Sequence, residues 1–149
     1  MCLRAAKPYM ACHKLVMHKS SAEMVKIMDN CKHETFIGYL DRQTADIQKT
    51  IALLVADERK DESDFEKIRA NIFQIAKSVY QTSLKTFPEE NARLEFLDSR
   101  LAMIAQSWKS ALDKAKTHHD EVRVLQEQLK LDTMEEILKK RKEIWEVAE

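Results

Sequence analysis

Residues 65–80, FEKIRANIFQIAKSVY, decide the fold of this chain. Large apolar side chains recur there at alternating steps of three and four, at Phe65, Ile68, Ile72, Ile75 and Val79. This spacing forms one stripe along an α-helix. Phe73, Ala76 and Tyr80 widen the stripe to an arc that suits two neighbouring helices, so we expect this helix to be the central one.

Two further runs with the same spacing flank the central helix. They are Ile37, Leu40, Thr44, Ile47, Ile51 and Leu54 before it, and Leu94, Leu97, Leu101, Ile104, Trp108 and Leu112 after it. The 149 residues include one glycine, two prolines and 44% hydrophobic residues, which is enough for one core with few tight turns. Strand-type alternation is limited to a few residues, so the sequence predicts an all-α protein.

Helix boundaries are predicted from capping chemistry. Three capping boxes indicate helix starts: Ser20 with Glu23, Ser63 with Glu66, and Thr86 with Glu89. Asp29 and Asn30 favour caps and Gly38 weakens a helix, so a break or a bend is expected between Asp29 and Gly38, and the next apolar run continues to about Arg59. Short connections place neighbouring helices antiparallel. We therefore expect an antiparallel up-down helical bundle of three long helices, plus an N-terminal and a C-terminal helix.

The pattern weakens after His118 and His119, which are placed at the end of a long helix. Two short stripes follow: Val122, Leu125 and Leu129, then Leu131, Met134, Leu138 and Trp145. One bent helix and two helices both fit them. This tail is apolar enough to form a fourth layer of the bundle or an arm for a second subunit.

The charge balance excludes several partners. Twenty-five basic residues match twenty-five acidic ones, and the basic run 139–142 has glutamates on both sides, so neither nucleic acid nor an anionic membrane is an expected partner. The longest apolar run, Ile51 to Ala56, is far shorter than a membrane span. Three cysteines are too few for a disulfide framework and favour a reducing compartment, so a cytoplasmic protein is expected.

Residues 1–19 form a basic N-terminal extension, which we separate from a bundle domain at 20–149. A basic segment without acids is typical of an organellar targeting peptide, and the later methionines also allow an upstream artefact. Leu3, Met10, Met17, Met24 and Cys31 follow at seven-residue intervals. Such a methionine-rich stripe serves either as core filling or as an adaptable partner surface.

Metal chemistry has one candidate set among the sulfur and imidazole ligands. Cys12, His18, Cys31 and His33 carry the thiolate and imidazole groups that zinc prefers, although no Cys-x2-Cys or His-x3-His pair occurs. A di-iron site of the bundle type needs Glu-x2-His pairs, and the sequence has none. No resident cofactor is expected.

A hydrolytic function has one candidate constellation. Glu58 with Asp61 and Glu95 with Asp98 are acidic pairs at helical spacing, as all-α magnesium-dependent nucleotide pyrophosphohydrolases use. This alternative requires the four carboxylates to converge. Nucleophilic catalysis has no support, because the sequence has neither a glycine-rich loop nor a nucleophile elbow.

The leading hypothesis is therefore a non-enzymatic helical-bundle protein–protein interaction module in assembly or regulation, either as a homodimer or with another protein. Large side chains at the ends and flanks of the predicted helices are the expected interface: Met10, Met17, Met24, Trp108 and Trp145. The alternatives are the magnesium-dependent hydrolase and the zinc-binding module.

Overall fold

The computed structural model describes residues 20–146 and places four α-helices there. They are α1 (Ser21–Ala56), α2 (Lys60–Thr86), α3 (Glu90–Thr117) and α4 (Glu121–Trp145). None of residues 20–146 lies in a strand, and the all-α prediction is confirmed. Within this range, no helix combines the length and apolarity that crossing a membrane requires.

Side-chain contacts give the directions of the helices. Lys77 of α2 pairs with Asp41 of α1 at 2.5 Å, as in an antiparallel hairpin. Arg141, near the end of α4, pairs with Asp98, near the start of α3, so these two helices are also antiparallel. Tyr80, near the end of α2, contacts Trp145, at the end of α4, so these two helices run in the same direction. α2 and α4 each pack on all three other helices, whereas α1 and α3 hardly touch. The widened apolar arc at residues 65–80 does contact more than one neighbour, but α4 shares this position, so α2 is not the single central helix.

The main core lies in the half of the bundle where α4 ends. Its fully buried side chains come from all four helices: Phe36, Leu40, Ile72, Phe73, Leu97, Leu101, Met134 and Ile137. Leu54, Leu112 and Ala115 are buried as well, but they lie outside this cluster, close to turns 57–59 and 118–120. We call the end that contains these two turns the tip of the bundle.

The expected break between Asp29 and Gly38 is wrong, because α1 is one continuous helix of 36 residues. Asn30 forms a surface hydrogen bond to Glu34, one turn further on, at 3.2 Å. Gly38 lies between buried Phe36 and Leu40, whose packing outweighs the cost of about 1 kcal/mol for a helical glycine. The predicted N-terminal helix and first long helix are therefore a single element.

Two predicted helix starts are displaced by three or four residues. α2 begins at Lys60, so Ser63 lies inside the helix, fully buried and without a hydrogen-bond partner for its hydroxyl. Thr86 ends α2, and α3 begins at Glu90. α4 is one helix, whose start is capped by the Asp120 side chain accepting from the backbone N–H of Arg123 at 3.1 Å.

Candidate interaction surface

The four carboxylates of the predicted metal site do not converge. Glu58 and Asp61 lie at the tip, whereas Glu95 and Asp98 lie in the first turns of α3, at the other end of α2. Asp98, the nearer of the two, lies 19 residues from the tip end of α3 at Thr117, which is about 28 Å at about 1.5 Å per residue. No group of three or more histidine, cysteine or acidic side chains within residues 20–146 could hold a metal ion.

The predicted zinc ligands are only partly described. Cys12 and His18 lie outside residues 20–146, while Cys31 and His33 lie on α1. Cys31 is disulfide-bonded, so zinc binding would require its reduced form. His33 Nδ1 lies 3.3 Å from the hydroxyl of Tyr80, and this contact joins α1 to α2.

The predicted interface residues occupy different environments. Met10 and Met17 lie outside the described residues, and Met24 is half-buried near the start of α1. Trp108 is half-buried against the core, with Lys130 Nζ 5.9 Å from its ring centre. Trp145 packs edge-on against Phe36 at 5.5 Å and against Tyr80 at 6.0 Å. The C-terminal helix thus packs on its own bundle.

Arg141 is the one buried side chain of the basic run 139–142. Its guanidinium is almost fully buried and donates to Asp98 and, at 2.6 Å, to Glu146. Burial raises the pKa of Asp98 although Arg141 opposes that shift, because Asp98 Oδ1 is enclosed without a partner. These three side chains join α3 to the end of α4 and so stabilise the bundle.

A second polar group lies where α1 passes the start of α3. Lys32 of α1 pairs with Glu90 at 3.6 Å. Burial and the neighbouring Glu90 carboxyl raise the pKa of Asp29 above its ordinary value. Burial also raises the pKa of Tyr80 to about 12. These groups hold α1 against the α2–α3 connection.

The tip carries exposed aliphatic side chains, in contrast to the two polar groups. Four exposed residues lie near turns 57–59 and 118–120, and we call them together the tip surface: Leu53 (68% exposed), Val55 (57%), Val122 (61%) and Leu125 (60%). Leu53 and Val55 lie on opposite sides of α1, because residues two apart do not share a helix face. Apart from Met103 of α3, the other large exposed apolar residues of the described range are Val25 and Met28, near the start of α1. Four of the seven therefore lie at one end.

The exposed residues of α4 lie on a flank that faces the first helix. Val122, Leu129 and Glu136 follow at intervals of seven residues and share one line along α4. Glu136 accepts a hydrogen bond from the hydroxyl of Tyr39 on α1 at 3.1 Å, which orients this line. Leu129 is half-buried, but Val122 and Leu125 on the same flank are exposed. Near the tip, this side of α4 is therefore not covered by α1.

Both turns at the tip have the same backbone form. Glu58 (φ 60°) and His119 (φ 54°) adopt the left-handed conformation that usually favours glycine. The residue after each donates its N–H to a carbonyl five residues earlier, Arg59 to Leu54 at 2.9 Å and Asp120 to Ala115 at 3.0 Å. Both helices thus end sharply, with their charged turn residues exposed.

The two turns are alike in charge. Residues 57–62, DERKDE, carry four acidic and two basic side chains. The equivalent residues 118–123, HHDEVR, carry two histidines, two acidic side chains and one arginine. Acidic side chains therefore outnumber lysine and arginine at both turns of the tip.

The interface prediction did not include the tip surface, although the sequence held two signals for it. The run Ile51 to Ala56 is apolar on every face of the helix, more than one core-facing stripe needs. Val122 and Leu125 form a short apolar stripe directly after a turn. Whether another helix covers such a stripe depends on the tertiary structure.

Comparisons of the chain with protein-family models, with curated proteins and with solved structures find no match.

Proposed function

We propose that this chain is a non-enzymatic helical-bundle module that acts through contacts with protein, in assembly or regulation. The observation that carries the proposal is the tip surface, where four large aliphatic side chains are more than half exposed. Single exposed apolar residues are ordinary, but a group at one end of a bundle is typical of an interaction site.

The exposed area gives a measure of the available binding energy. Complete burial of a large aliphatic side chain contributes about 1.5–3 kcal/mol. At roughly 60% exposure, each tip residue still has about 1–2 kcal/mol to gain, or about 4–8 kcal/mol for the four together. A partner that covers the tip would recover much of this free energy, less the cost of association.

The environment of the reactive side chains also favours binding over catalysis. Asp98 pairs with Arg141, His33 contacts Tyr80, and the Tyr39 hydroxyl donates to Glu136. Each of these contacts joins two helices of the same bundle. Such side chains stabilise the scaffold and are not directed towards a common cavity.

Site-specific photo-crosslinking in the native cells tests the proposal. A benzophenone amino acid replaces Leu125 on the tip surface, or Met103, which is exposed on α3 away from the tip, as the matched control. We expect protein adducts several-fold more abundant from position 125 than from position 103. Equal yields from the two positions, with both variants helical by circular dichroism, would refute the proposed function.

A further inference from the structure

We infer that a groove between α3 and α4 binds an acidic amphipathic helix of a partner protein. The groove is a different surface from the tip surface, so this inference goes beyond the proposed function and does not rest on it. It is carried by the apolar floor of the groove, by the three lysines around that floor and by their positions along it.

The groove is lined by α3 and α4 alone and has a volume of about 570 Å³. Its floor is apolar and consists of Ala105 of α3 with Leu131, Met134 and Leu138 of α4. Ala105 and Leu138 pack on the main core, and Met134 is almost completely buried, so the floor is part of the folded bundle. The side chain of Ala105 ends at Cβ, which leaves room for an apolar side chain of a partner.

Three exposed lysines surround this floor, and we call them the groove lysines: Lys109, Lys139 and Lys142. None of them forms an ion pair with another residue of the range 20–146. Glu135 is the one acidic side chain of the lining. Three positive charges and one negative charge leave the groove with a net positive charge, which attracts a partner that carries carboxylates.

The acidic residues near the basic run 139–142 are paired with its other members. Glu143 pairs with Lys140 at 3.1 Å, and Glu146 pairs with Arg141 at 2.6 Å. Asp98 of α3 also pairs with Arg141. These acidic side chains therefore compensate Lys140 and Arg141, and the two groove lysines of the run stay available to a partner.

Two contacts fix the register of α3 against α4. Asp98 pairs with Arg141, and Lys130 Nζ lies 5.9 Å from the centre of the Trp108 ring. Between these contacts α3 advances by ten residues and α4 by eleven, so the two antiparallel helices keep nearly the same pace. Lys109, which follows Trp108, is therefore at about the level of Lys130.

The groove lysines thus lie at both ends of the apolar floor. Lys139 and Lys142 are nine and twelve residues beyond Lys130 on α4, which is about 14–18 Å at about 1.5 Å per residue. Glu135 lies between the two ends and would repel a carboxylate there. A matching helix therefore carries carboxylates about three turns apart, with apolar side chains between them.

This combination favours a protein helix over other occupants. Nucleic acid would offer phosphates to the lysines but no apolar side chains to the floor. Residues 1–19 of this chain have no acidic side chain, so like charges would oppose their binding. A helix with leucines at i, i+3 and i+7 and glutamates on its flank fits both the floor and the lysines, as in other helix-in-groove complexes.

Fluorescence anisotropy of the full chain with a labelled synthetic peptide tests the inference. The acidic probe is a helical peptide of about 16 residues, with leucines at i, i+3 and i+7 and glutamates about eleven residues apart on its flank. A second probe has lysines in place of these glutamates. We expect a dissociation constant on the order of 10–100 μM for the acidic probe and at least about tenfold weaker binding of the basic one.

Two variants of the chain locate the binding, each with a matched control. Replacement of the three groove lysines by glutamine should weaken binding of the acidic probe about tenfold, because three exposed ion pairs are lost. The same replacement at the exposed Lys26, Lys60 and Lys85 should change it less than about twofold, since about 0.15 M salt screens distant charges. Ala105→Leu should weaken binding more than about tenfold by filling the floor, whereas Ala45→Leu on the exposed side of α1 should not. Circular dichroism at 222 nm checks that every variant remains folded.

Four results would overturn the inference: no binding of the acidic probe up to about 1 mM, equal binding of the two probes, equal effects of the two lysine replacements, or unchanged binding to Ala105→Leu. A wild-type chain that dimerises while Ala105→Leu stays monomeric would show that a second copy fills the groove, and would also overturn it. The probes test the groove and the crosslinking at position 125 tests the tip surface. Either the inference or the proposed function can therefore fail while the other stands.

Discussion

Truncation of Phe36 to alanine tests how the fourth helix is held. The Phe36 ring is completely buried in α1 and lies edge-on to Tyr80 of α2 at 5.1 Å and to Trp145 of α4 at 5.5 Å. Loss of a buried phenylalanine ring costs about 3–5 kcal/mol, and the two edge contacts place this site in the upper half of that range. We expect a loss of about 4 kcal/mol in the free energy of unfolding.

Urea denaturation followed by circular dichroism at 222 nm measures this loss. Met103→Ala is the control, because an exposed side chain contributes less than about 0.5 kcal/mol. A double-mutant cycle with Trp145→Ala should give a coupling of about 1 kcal/mol between the two rings. A loss under about 1 kcal/mol for Phe36→Ala, or strictly additive effects in the cycle, would show that α4 is not anchored by this contact.

Three further outcomes follow from particular side chains. Gly38→Ala should stabilise the protein by about 0.5–1 kcal/mol in urea melts, because the added Cβ would meet only the flexible end of Arg42 at 3.2 Å; a loss would refute this. Arg141→Met should lower the free energy of unfolding by about 2 kcal/mol at pH 7. This value lies between those for exposed and buried ion pairs, since the Arg141 side chain is 9% exposed and the Asp98 side chain 42%. The pKa of Asp98 is raised in the folded state, so protonation below it favours folding, and the deficit should shrink from pH 7 to pH 4; a constant deficit would contradict the pairing. The Tyr80 phenol, with a folded pKa of about 12 against 10.0 unfolded, contributes stability below pH 10 that is lost as the pH rises to 12, and Tyr80→Phe should flatten that decline in alkaline urea melts.

Apolar periodicity was sufficient to predict the helical class, because a stripe depends only on residue spacing. Boundaries were predicted less well. Ser63 and Thr86 have the right neighbours for capping boxes, but α2 begins at Lys60, next to the tip, and ends at Thr86, at the opposite end of the bundle. Gly38 was given too much weight for a similar reason, since buried neighbours hold a glycine in a helix.

The candidate site depends on features that a pattern does not contain. Val122 and Leu125 have the same spacing as core residues, yet both are exposed near turn 118–120. Trp145 has the composition of an interface residue, yet the length of α4 brings it to Phe36. The position of one helix along another is a property of the tertiary structure. Sequence spacing alone therefore could not separate the exposed Val122 and Leu125 from the packed Trp145.

The two halves of the bundle should differ in how readily they open. The main core lies away from the tip, and near the tip the buried residues include Ser63 and Glu127, each with a side-chain oxygen that has no hydrogen-bond partner. Enclosed polar atoms of this kind lower the free energy needed for local unfolding. Amide hydrogens near turns 57–59 and 118–120 should therefore exchange with solvent through fraying of the helix ends, while those around Phe73 and Leu101 exchange only on global unfolding. A partner that covers the tip would slow the first class and leave the second nearly unchanged, so amide exchange would show which amides the partner protects.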